Sequence, residues 1–251
     1  MDGNSFSSEE FSGRTALITG AAQGLGREIG KMFHDHGARV ILVDIDKRVQ
    51  QTAADIDSDS KRTIGKIADL TEDKSVASLR DAVVQEFGHI DTLVNNAGTY
   101  APHAIRDISG SDFDERIAIN LKTVFLTTQA FMDSLSSTKS GRVVNIASAD
   151  AYRPKVTNAP YAAAKAGVIS LTKSFAAELA PNVLVNGVSP GPISTETAKS
   201  QGWLEQAIDQ HPLGYAAIPQ DIGRVVLFLA SPSNKFMNGE TIVVNGGTIM
   251  I

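Results

Sequence analysis

A tyrosine and a lysine stand four residues apart in the segment NAPYAAAKAG, at Tyr161 and Lys165. Residues with this spacing lie on the same face of a helix, about 5–6 Å apart at Cβ, and the surrounding alanines favour helix. The phenol and the ammonium are therefore expected to point into one space. A free phenol has a pKa of about 10, and a nearby cation favours its ionised form, so the pair has the chemistry of a general base. The same spacing also occurs by chance on surface helices.

The glycine-rich turn TGAAQGLG, at 19–26, is a second group with a defined chemistry. It follows an apolar strand and opens a helix. Gly20, Gly24 and Gly26 allow a tight turn and a close approach of the backbone to a pyrophosphate, and the helix N-terminus offers free N–H groups. The spacing is not G-x-G-x-x-G, because three residues separate the first two glycines, and glycines also serve as plain turn residues. The strand–turn–helix context nevertheless predicts a dinucleotide site.

Two acidic residues end neighbouring strands and bear on the choice of dinucleotide. A carboxylate at Asp44 can accept hydrogen bonds from an adenosine ribose and repel a 2′-phosphate, which predicts NAD rather than NADP. Lys47 and Arg48 lie nearby and could receive a phosphate, so NADP stays open as the less favoured coenzyme. Asp69 is a candidate contact for the adenine amine, or equally a helix cap.

The elements that must position these residues alternate along the chain. Strands are predicted at 15–20, 39–44, 63–69, 90–98, 141–148, 182–191 and 240–247, and helices at 25–37, 73–87, 111–135, 158–180 and 221–230. Near-continuous apolar strands alternating with helices predict an α/β fold, a single-domain doubly wound parallel sheet (Rossmann fold) with helices on both faces. Ligands bind such sheets outside the carboxyl ends of the strands, and the residues above follow strands.

Composition excludes several functions. The chain has 251 residues, a net charge of −5 and no basic block, so nucleic acid is not an expected partner. It has no cysteine, and its five histidines are scattered, so thiolate catalysis and a metal site are not expected. No stretch approaches the ~20 apolar residues that span a bilayer. We expect a cytoplasmic protein without a membrane partner, with a flexible tail at residues 1–12 and one catalytic domain at residues 13–251.

Together the motifs resemble those of the short-chain dehydrogenase/reductase family, in its branch of single-domain enzymes of about 250 residues. The resemblance covers residues 14–247. The motifs that carry it are TGAAQGLG (19–26), NNAG (95–98), Asn120 in IAINL, Ser148 in VVNIAS, Tyr161 and Lys165 in YAAAK, and PGPIST (190–195). Each is common alone, whereas their joint order and spacing are specific.

The resemblance implies roles for the matching residues. The implied catalytic residues are Asn120, Ser148, Tyr161 and Lys165. The expected coenzyme contacts are Gly20, Gln23, Gly24, Leu25, Gly26, Asp44, Asp69, Leu70, Asn96, Ala97, Gly98, Tyr161, Lys165, Pro190, Gly191, Ile193 and Thr195. Asn95 and its neighbours would stabilise the central strand.

The implied activity is hydride transfer between NAD(H) and a secondary alcohol or ketone, with a polyol or a hydroxy acid among the substrates left open. Tyr161 would be the base, Lys165 would favour its phenolate and reach the coenzyme ribose, Ser148 would hold the substrate oxygen, and Asn120 would position a water in a proton path. The alternative in the same family is an NADPH-dependent 3-oxoacyl-[acyl-carrier-protein] reductase, against which Asp44 argues. A non-catalytic dinucleotide-binding regulator should lack one of the four residues, and none is missing.

The substrate pocket is expected between residues 149–160, the neighbourhood of Tyr100 and a lid at about 192–215. The residues expected to touch substrate are Ser148, Asp150, Tyr161, Pro192 and Trp203, with Tyr152 a further wall candidate; Asp150 and Tyr152 suggest a substrate with extra hydroxyls. Apolar faces on the helices at 111–135 and 158–180 predict an interface. With the family resemblance, a homotetramer is expected, and a dimer is the alternative.

Overall fold

A computed structural model describes residues 7–200, 202, 204–208 and 211–250 of the chain. Within them, seven strands form one sheet in the order β3-β2-β1-β4-β5-β6-β7, and every neighbouring pair is parallel. The strands are β1 Thr15–Thr19, β2 Arg39–Asp44, β3 Thr63–Ile67, β4 Thr92–Asn95, β5 Gly141–Ile146, β6 Val183–Pro190 and β7 Thr241–Val244. The predicted doubly wound α/β fold is confirmed.

Helices connect the strands and cover both faces of the sheet. They are α1 Gly24–Asp35, α2 Arg48–Ile56, α3 Asp73–Phe87, α4 Gly110–Ile117, α5 Thr123–Ser137, α6 Ala159–Leu179, α7 Glu196–Ser200, α8 Leu204–Ile208 and α9 Pro219–Ala230. A π-helical turn, Ala118–Lys122, joins α4 to α5, and single 3₁₀ turns lie at Ile105–Asp107 and Ala149–Ala151. None of the helices in the described ranges is both long and apolar enough to cross a membrane.

Alternation along the strands divides the core into two layers. Successive strand side chains point to opposite faces, so Leu17 and Ile18 of β1 enter different clusters. Ile18 packs with Ile29 of α1 and Val226 of α9. Leu17 packs on the other face with Phe131 of α5 and with residues of α3 and α6. Both strand residues are fully buried, which explains why the strands read as continuous apolar runs.

The crevice for a ligand lies where the strand order reverses, between β1 and β4. The two strands are paired over Ala16–Ile18 and Thr92–Val94, so the loops that follow them emerge side by side. The glycine turn follows β1, and the NNAG segment begins at the end of β4. The topology therefore brings these two motifs together.

Several elements differ from the expectations. Phe11 is 1% exposed and packs edge-on against Phe33, so the described part of the supposed tail at 1–12 contributes to the core. Helix α2 was not predicted, because its polar sequence RVQQTAADI buries only Val49, Thr52 and Ala53. Strands β4 and β7 are shorter than predicted. The helix predicted at 111–135 is interrupted by the π turn.

Candidate active site

The glycine turn leaves its backbone open at the carboxyl edge of β1. Gly20 and Gly24 adopt φ of +63° and +59°, a region that favours glycine. A Cβ at Gly20 would lie 2.7 Å from the Cα of Ala97, and one at Gly26 would lie 2.3 Å from the carbonyl oxygen of Gly20. Gln23 precedes the first turn of α1, and no acidic side chain occupies that turn. The N–H groups at the start of α1 therefore suit an anion such as a pyrophosphate.

Hydrogen bonds fasten the NNAG segment to this turn. The hydroxyl of Thr19 accepts from the backbone N–H groups of Asn96 and Ala97, at 2.9 and 3.0 Å. The side-chain amide of Asn96 donates to the carbonyls of Thr19 and Gly20, at 2.9 and 3.0 Å. Thr19, which sequence reasoning did not single out, is thus the centre of the link between β1 and β4.

The carboxylate of Asp44 is fixed beside the glycine turn. Its two oxygens accept from the backbone N–H groups of Ala22, at 2.9 Å, and Asp46, at 3.0 Å. Arg48, a candidate for a phosphate, is instead paired with Asp46, with 2.6 Å between Nη2 and Oδ2. Asp69 accepts from the N–H and hydroxyl of Thr71 through one oxygen. The other oxygen faces no donor among the described residues.

The π turn presents Asn120 to the loop after β4. A π turn contains one residue more than an α turn and is frequent at functional sites. Asn120 is fully buried; its Nδ2 donates to the carbonyl of Arg116, and its Oδ1 accepts from the N–H of Thr99, both at 3.0 Å. Asn120 therefore lies in a widened turn rather than in a regular helix.

Lys165 is a buried cation. It is 3% exposed, and its ammonium donates to the carbonyl of Ile146 at the end of β5, at 2.8 Å. Burial lowers the pKa of Lys165 to about 8. Gly98 lies between this ammonium and Asn120, since a Cβ there would be 2.7 Å from Asn120 Oδ1 and 3.4 Å from Lys165 Nζ.

The phenol of Tyr161 lies beside the Ser148 hydroxyl. Burial raises the pKa of Tyr161, a hydrogen bond from Ser148 lowers it, and the charges of Asp150 and Tyr100 raise it. The Lys165 ammonium lies 5.7 Å from the centre of the phenol ring and donates to the carbonyl of Ile146. That Lys165 favours the phenolate stays a prediction.

A cavity of about 610 Å³ joins these groups. All four predicted catalytic residues line it. The other predicted residues on its wall are Leu25, Asn96, Gly98, Asp150, Pro190, Gly191, Pro192, Ile193 and Thr195. The predicted residues that are not on the wall of this cavity are Gly20, Gln23, Gly24, Gly26, Asp44, Asp69, Leu70 and Ala97. They lie at the end of β2 or in the segments that follow β1, β3 and β4, along the same carboxyl edge. Tyr152 does not line the cavity, and Trp203 lies outside the described residues.

Some wall residues were not anticipated individually. Arg153, Lys155 and Val156 come from the segment 149–160, which was expected to form a wall. Thr248 and Ile249, beyond the last strand, also line the cavity. Asn245 holds this end in place, because its Nδ2 donates to the carbonyl of Ile249 at 3.0 Å. No chemical signal in the short GGTIMI sequence points to the cavity.

The segment expected to form a lid, at about 192–215, is tied to the fold by backbone hydrogen bonds near both of its ends. Ser194 N–H donates to the carbonyl of Ala217, and Ala217 N–H donates to the carbonyl of Pro192, at 2.8 and 3.1 Å. Thr195 lies against the glycine turn, with its Cγ2 3.7 Å from where a Cβ of Gly24 would be. Between these two ends lie α7 and α8. Across the residues that the structure describes, His, Asp and Glu form no cluster of three that could hold a metal ion.

The chain is similar to known proteins over nearly its whole length. Residues 20–248 match a family model described as enoyl-(acyl carrier protein) reductase. The chain is 38% identical over 241 residues to the (2S)-[(R)-hydroxy(phenyl)methyl]succinyl-CoA dehydrogenase subunit BbsD of Thauera aromatica, covering 93% of this chain and 96% of that protein. It is 34% identical to the 3-oxoacyl-[acyl-carrier-protein] reductase FabG of Vibrio cholerae, covering 95% of this chain and 98% of that protein.

A solved structure shares both fold and sequence. It is the crystal structure of a short-chain dehydrogenase/reductase, glucose/ribitol dehydrogenase, from Brucella melitensis, with a TM-score of 0.91 and 36% identity. The match covers 97% of this chain and 100% of that chain. The chain therefore belongs to the short-chain dehydrogenase/reductase family and is an oxidoreductase that acts on CH–OH groups.

Proposed function

We propose that the protein is an NAD-dependent dehydrogenase of secondary alcohols that also reduces the corresponding ketones. The observation that carries the proposal is the convergence of Tyr161, Ser148, Lys165 and Asn120 on one cavity beside the glycine turn. The bound coenzyme supplies the acceptor or donor of the hydride. The remaining requirement is a proton carrier at the substrate oxygen, and Tyr161 meets it.

Hydrogen bonding at Ser148 orients its hydroxyl. Ser148 Oγ accepts from the N–H of Asp150 at 3.1 Å, and its own proton, which is directed to Tyr161 in this structure, would turn to the substrate oxygen. A substrate oxygen held between Ser148 and Tyr161 is placed for proton transfer, and misplacement alone can cost ~10²-fold in rate. Tyr161 removes the proton from an alcohol or returns it to a carbonyl.

Lys165 and Asn120 support the tyrosine. The Lys165 ammonium would stabilise a phenolate by its charge and bind ribose hydroxyls, because a lysine side chain carries three donors. Asn120 and Lys165 both line the cavity, and we assign to these two side chains the water of the proton path. Thr195 and Ile193, at the start of the lid, would bind the nicotinamide amide.

The preference for NAD is supported by Asp44. Its carboxylate lies beside the backbone of the glycine turn, where a 2′-phosphate would meet a negative charge. The nearby Arg48 is already paired with Asp46, so it is not free to compensate. We assign Asp69 as the acceptor for the adenine amine, because its second carboxylate oxygen accepts no hydrogen bond from the described residues.

A second candidate is NADPH-dependent 3-oxoacyl-[acyl-carrier-protein] reduction. Its support is the 34% identity to FabG over nearly the whole chain, together with the acyl carrier protein that the family model's description names. Exposed Arg153 and Lys155 on the cavity wall would also suit an anionic carrier. Asp44 argues against it, so we retain the NAD-dependent activity as the first proposal. The homotetramer and the cytoplasmic location stay predictions.

The test combines coenzyme titration with turnover. NADH and NADPH binding is followed by fluorescence, and oxidation and reduction are measured on a panel of secondary alcohols and ketones. Tyr161→Phe should lower turnover by at least about 10²-fold and leave NADH affinity within about twofold, whereas Tyr152→Phe, outside the cavity wall, should retain turnover. Full activity of Tyr161→Phe would contradict the proposal.

A further inference from the structure

Asp150 places a carboxylate in the wall of the cavity, two residues after Ser148. The single 3₁₀ turn Ala149–Ala151 fixes its position, because the N–H of Asp150 donates to Ser148 Oγ at 3.1 Å. The charge of Asp150 also acts on the Tyr161 phenol. The carboxylate thus shares its surroundings with both groups that would hold the reacting oxygen.

A buried asparagine holds this carboxylate in one orientation. Asn158 is 2% exposed and its Nδ2 donates to Asp150 Oδ2. The Oδ1 of Asn158 accepts from the N–H of Lys155 at 3.1 Å, so the amide cannot turn over without losing both bonds. Asn158 also forms a hydrogen bond with the Tyr100 hydroxyl, and the Tyr100 ring packs edge-on against the Tyr161 ring at 5.2 Å.

The second oxygen of Asp150 receives no hydrogen bond from the described part of the chain. Asp150 is half-buried on the cavity wall. No cation in the described ranges lies within ion-pair distance of Asp150. Lys155 acts on the carboxylate only at longer range, and it is exposed to solvent.

A partly buried carboxylate of this kind discriminates between substrates. A hydroxyl that reaches Oδ1 makes a charge-assisted hydrogen bond, which is stronger than a neutral one. A substrate carboxylate at the same place would face a like charge in a poorly solvated wall, which is unfavourable. The effect is expected on atoms close to the reacting carbon, because Asp150 is bonded through its N–H to Ser148 Oγ and lines the same cavity as Tyr161.

We propose that Asp150 is a specificity-determining residue that selects substrates with a second hydroxyl on the carbon next to the reacting carbinol, and rejects those with a carboxylate there. The substrate class is therefore a vicinal diol or, in the reverse direction, an α-hydroxy ketone. This inference rests on the proposed function. It favours the polyol over the hydroxy acid among the substrates left open by the sequence.

The test uses three four-carbon alcohols that differ only in the group next to the carbinol carbon. They are butan-2-ol, butane-2,3-diol in each stereoisomer, and 2-hydroxybutanoate, whose hydroxyl adjoins the carboxylate. We measure kcat/KM with NAD for the wild type, Asp150→Ala and Asp150→Asn. The control is Asp59→Asn, an exposed aspartate in the turn between α2 and β3. A thermal melt of each variant monitors folding.

The wild type should prefer the best diol stereoisomer over butanol by about tenfold or more, as expected for a hydrogen bond to a charged group. Asp150→Ala should bring this ratio close to one. Asp150→Asn keeps an acceptor without the charge, so it should retain part of the diol preference and gain about tenfold on the hydroxybutanoate relative to butanol. Asp59→Asn should match the wild type.

Two failures are distinguishable. If the wild type turns over butanol and the diol with a ratio that Asp150→Ala leaves unchanged, the inference is overturned and the proposed function stands. If the wild type turns over none of a wide panel of alcohols and ketones with either coenzyme, the proposed function is overturned and the inference with it. Should Asp150→Ala fail to fold, the isosteric Asp150→Asn decides, because an unchanged rejection of the hydroxybutanoate overturns the inference.

Discussion

The side-chain oxygen of Asn120 accepts a hydrogen bond from the backbone N–H of Thr99, over 3.0 Å. This bond joins the π turn to the loop after β4. Gly98 precedes Thr99, and its missing side chain leaves the space that Asn120 Oδ1 and Lys165 Nζ approach. The positions of two implied catalytic residues therefore depend on a glycine.

Gly98→Ala should impair catalysis more than folding. The new Cβ would lie 2.7 Å from Asn120 Oδ1, so Asn120 or the loop must shift, and we expect turnover to fall by about 10²-fold. Gly110→Ala is the control, because a Cβ there meets nothing within 4 Å. Steady-state kinetics and a thermal melt on both variants check the prediction. Unchanged kinetics in Gly98→Ala would show that the placement of Asn120 is unimportant.

Asp44→Ala should change the coenzyme preference. Removing the carboxylate removes both the acceptor for ribose hydroxyls and the repulsion of a 2′-phosphate, so NADH should bind about tenfold more weakly and NADPH more tightly. Fluorescence titration with both coenzymes measures this change. Asp55→Asn, an exposed acidic residue of α2, is the control. If the wild type already binds NADPH more tightly than NADH, the role assigned to Asp44 is wrong.

Lys165 should titrate at an unusually low pH for a lysine. Burial disfavours its ammonium and lowers its pKa to about 8, so the side chain is charged below that pH and becomes neutral above it. NMR of protein labelled at the lysine side chains should show one resonance with this midpoint, and Lys165→Met should remove it. A midpoint for this residue at the usual lysine pKa would contradict the burial of its ammonium.

The expected homotetramer can be tested through an aromatic residue of α5. Phe125 is 40% exposed, although its ring lies 6.0 Å from that of Phe175 in α6. A charge at this apolar patch would have to be buried in an interface, so Phe125→Glu should lower the mass that light scattering reports. Val84→Glu, at an equally exposed apolar position on α3, is the comparison. A wild type that remains monomeric would refute the expectation.

The sequence allowed the fold to be predicted because the strands are buried on both faces and appear as apolar runs. It also placed Asn120 inside the helix predicted at 111–135, where asparagine is a poor residue. Neither the π turn nor the carbonyl of Ile146 as partner of Lys165 could be predicted, because backbone geometry and packing determine both. The contribution of Ile249 to the cavity likewise depends on how the chain returns after β7.

The π turn at Ala118–Lys122 also constrains how this protein can tolerate insertions and deletions. Loss of one residue there would allow an ordinary α-helix to run from α4 into α5, with regular hydrogen bonds throughout. Such a chain could fold, because a π turn accommodates one extra residue inside an α-helix, yet it would lose the widened turn that presents Asn120 to the N–H of Thr99. A screen of variants for thermal stability alone would retain that deletion, whereas a screen for turnover would eliminate it.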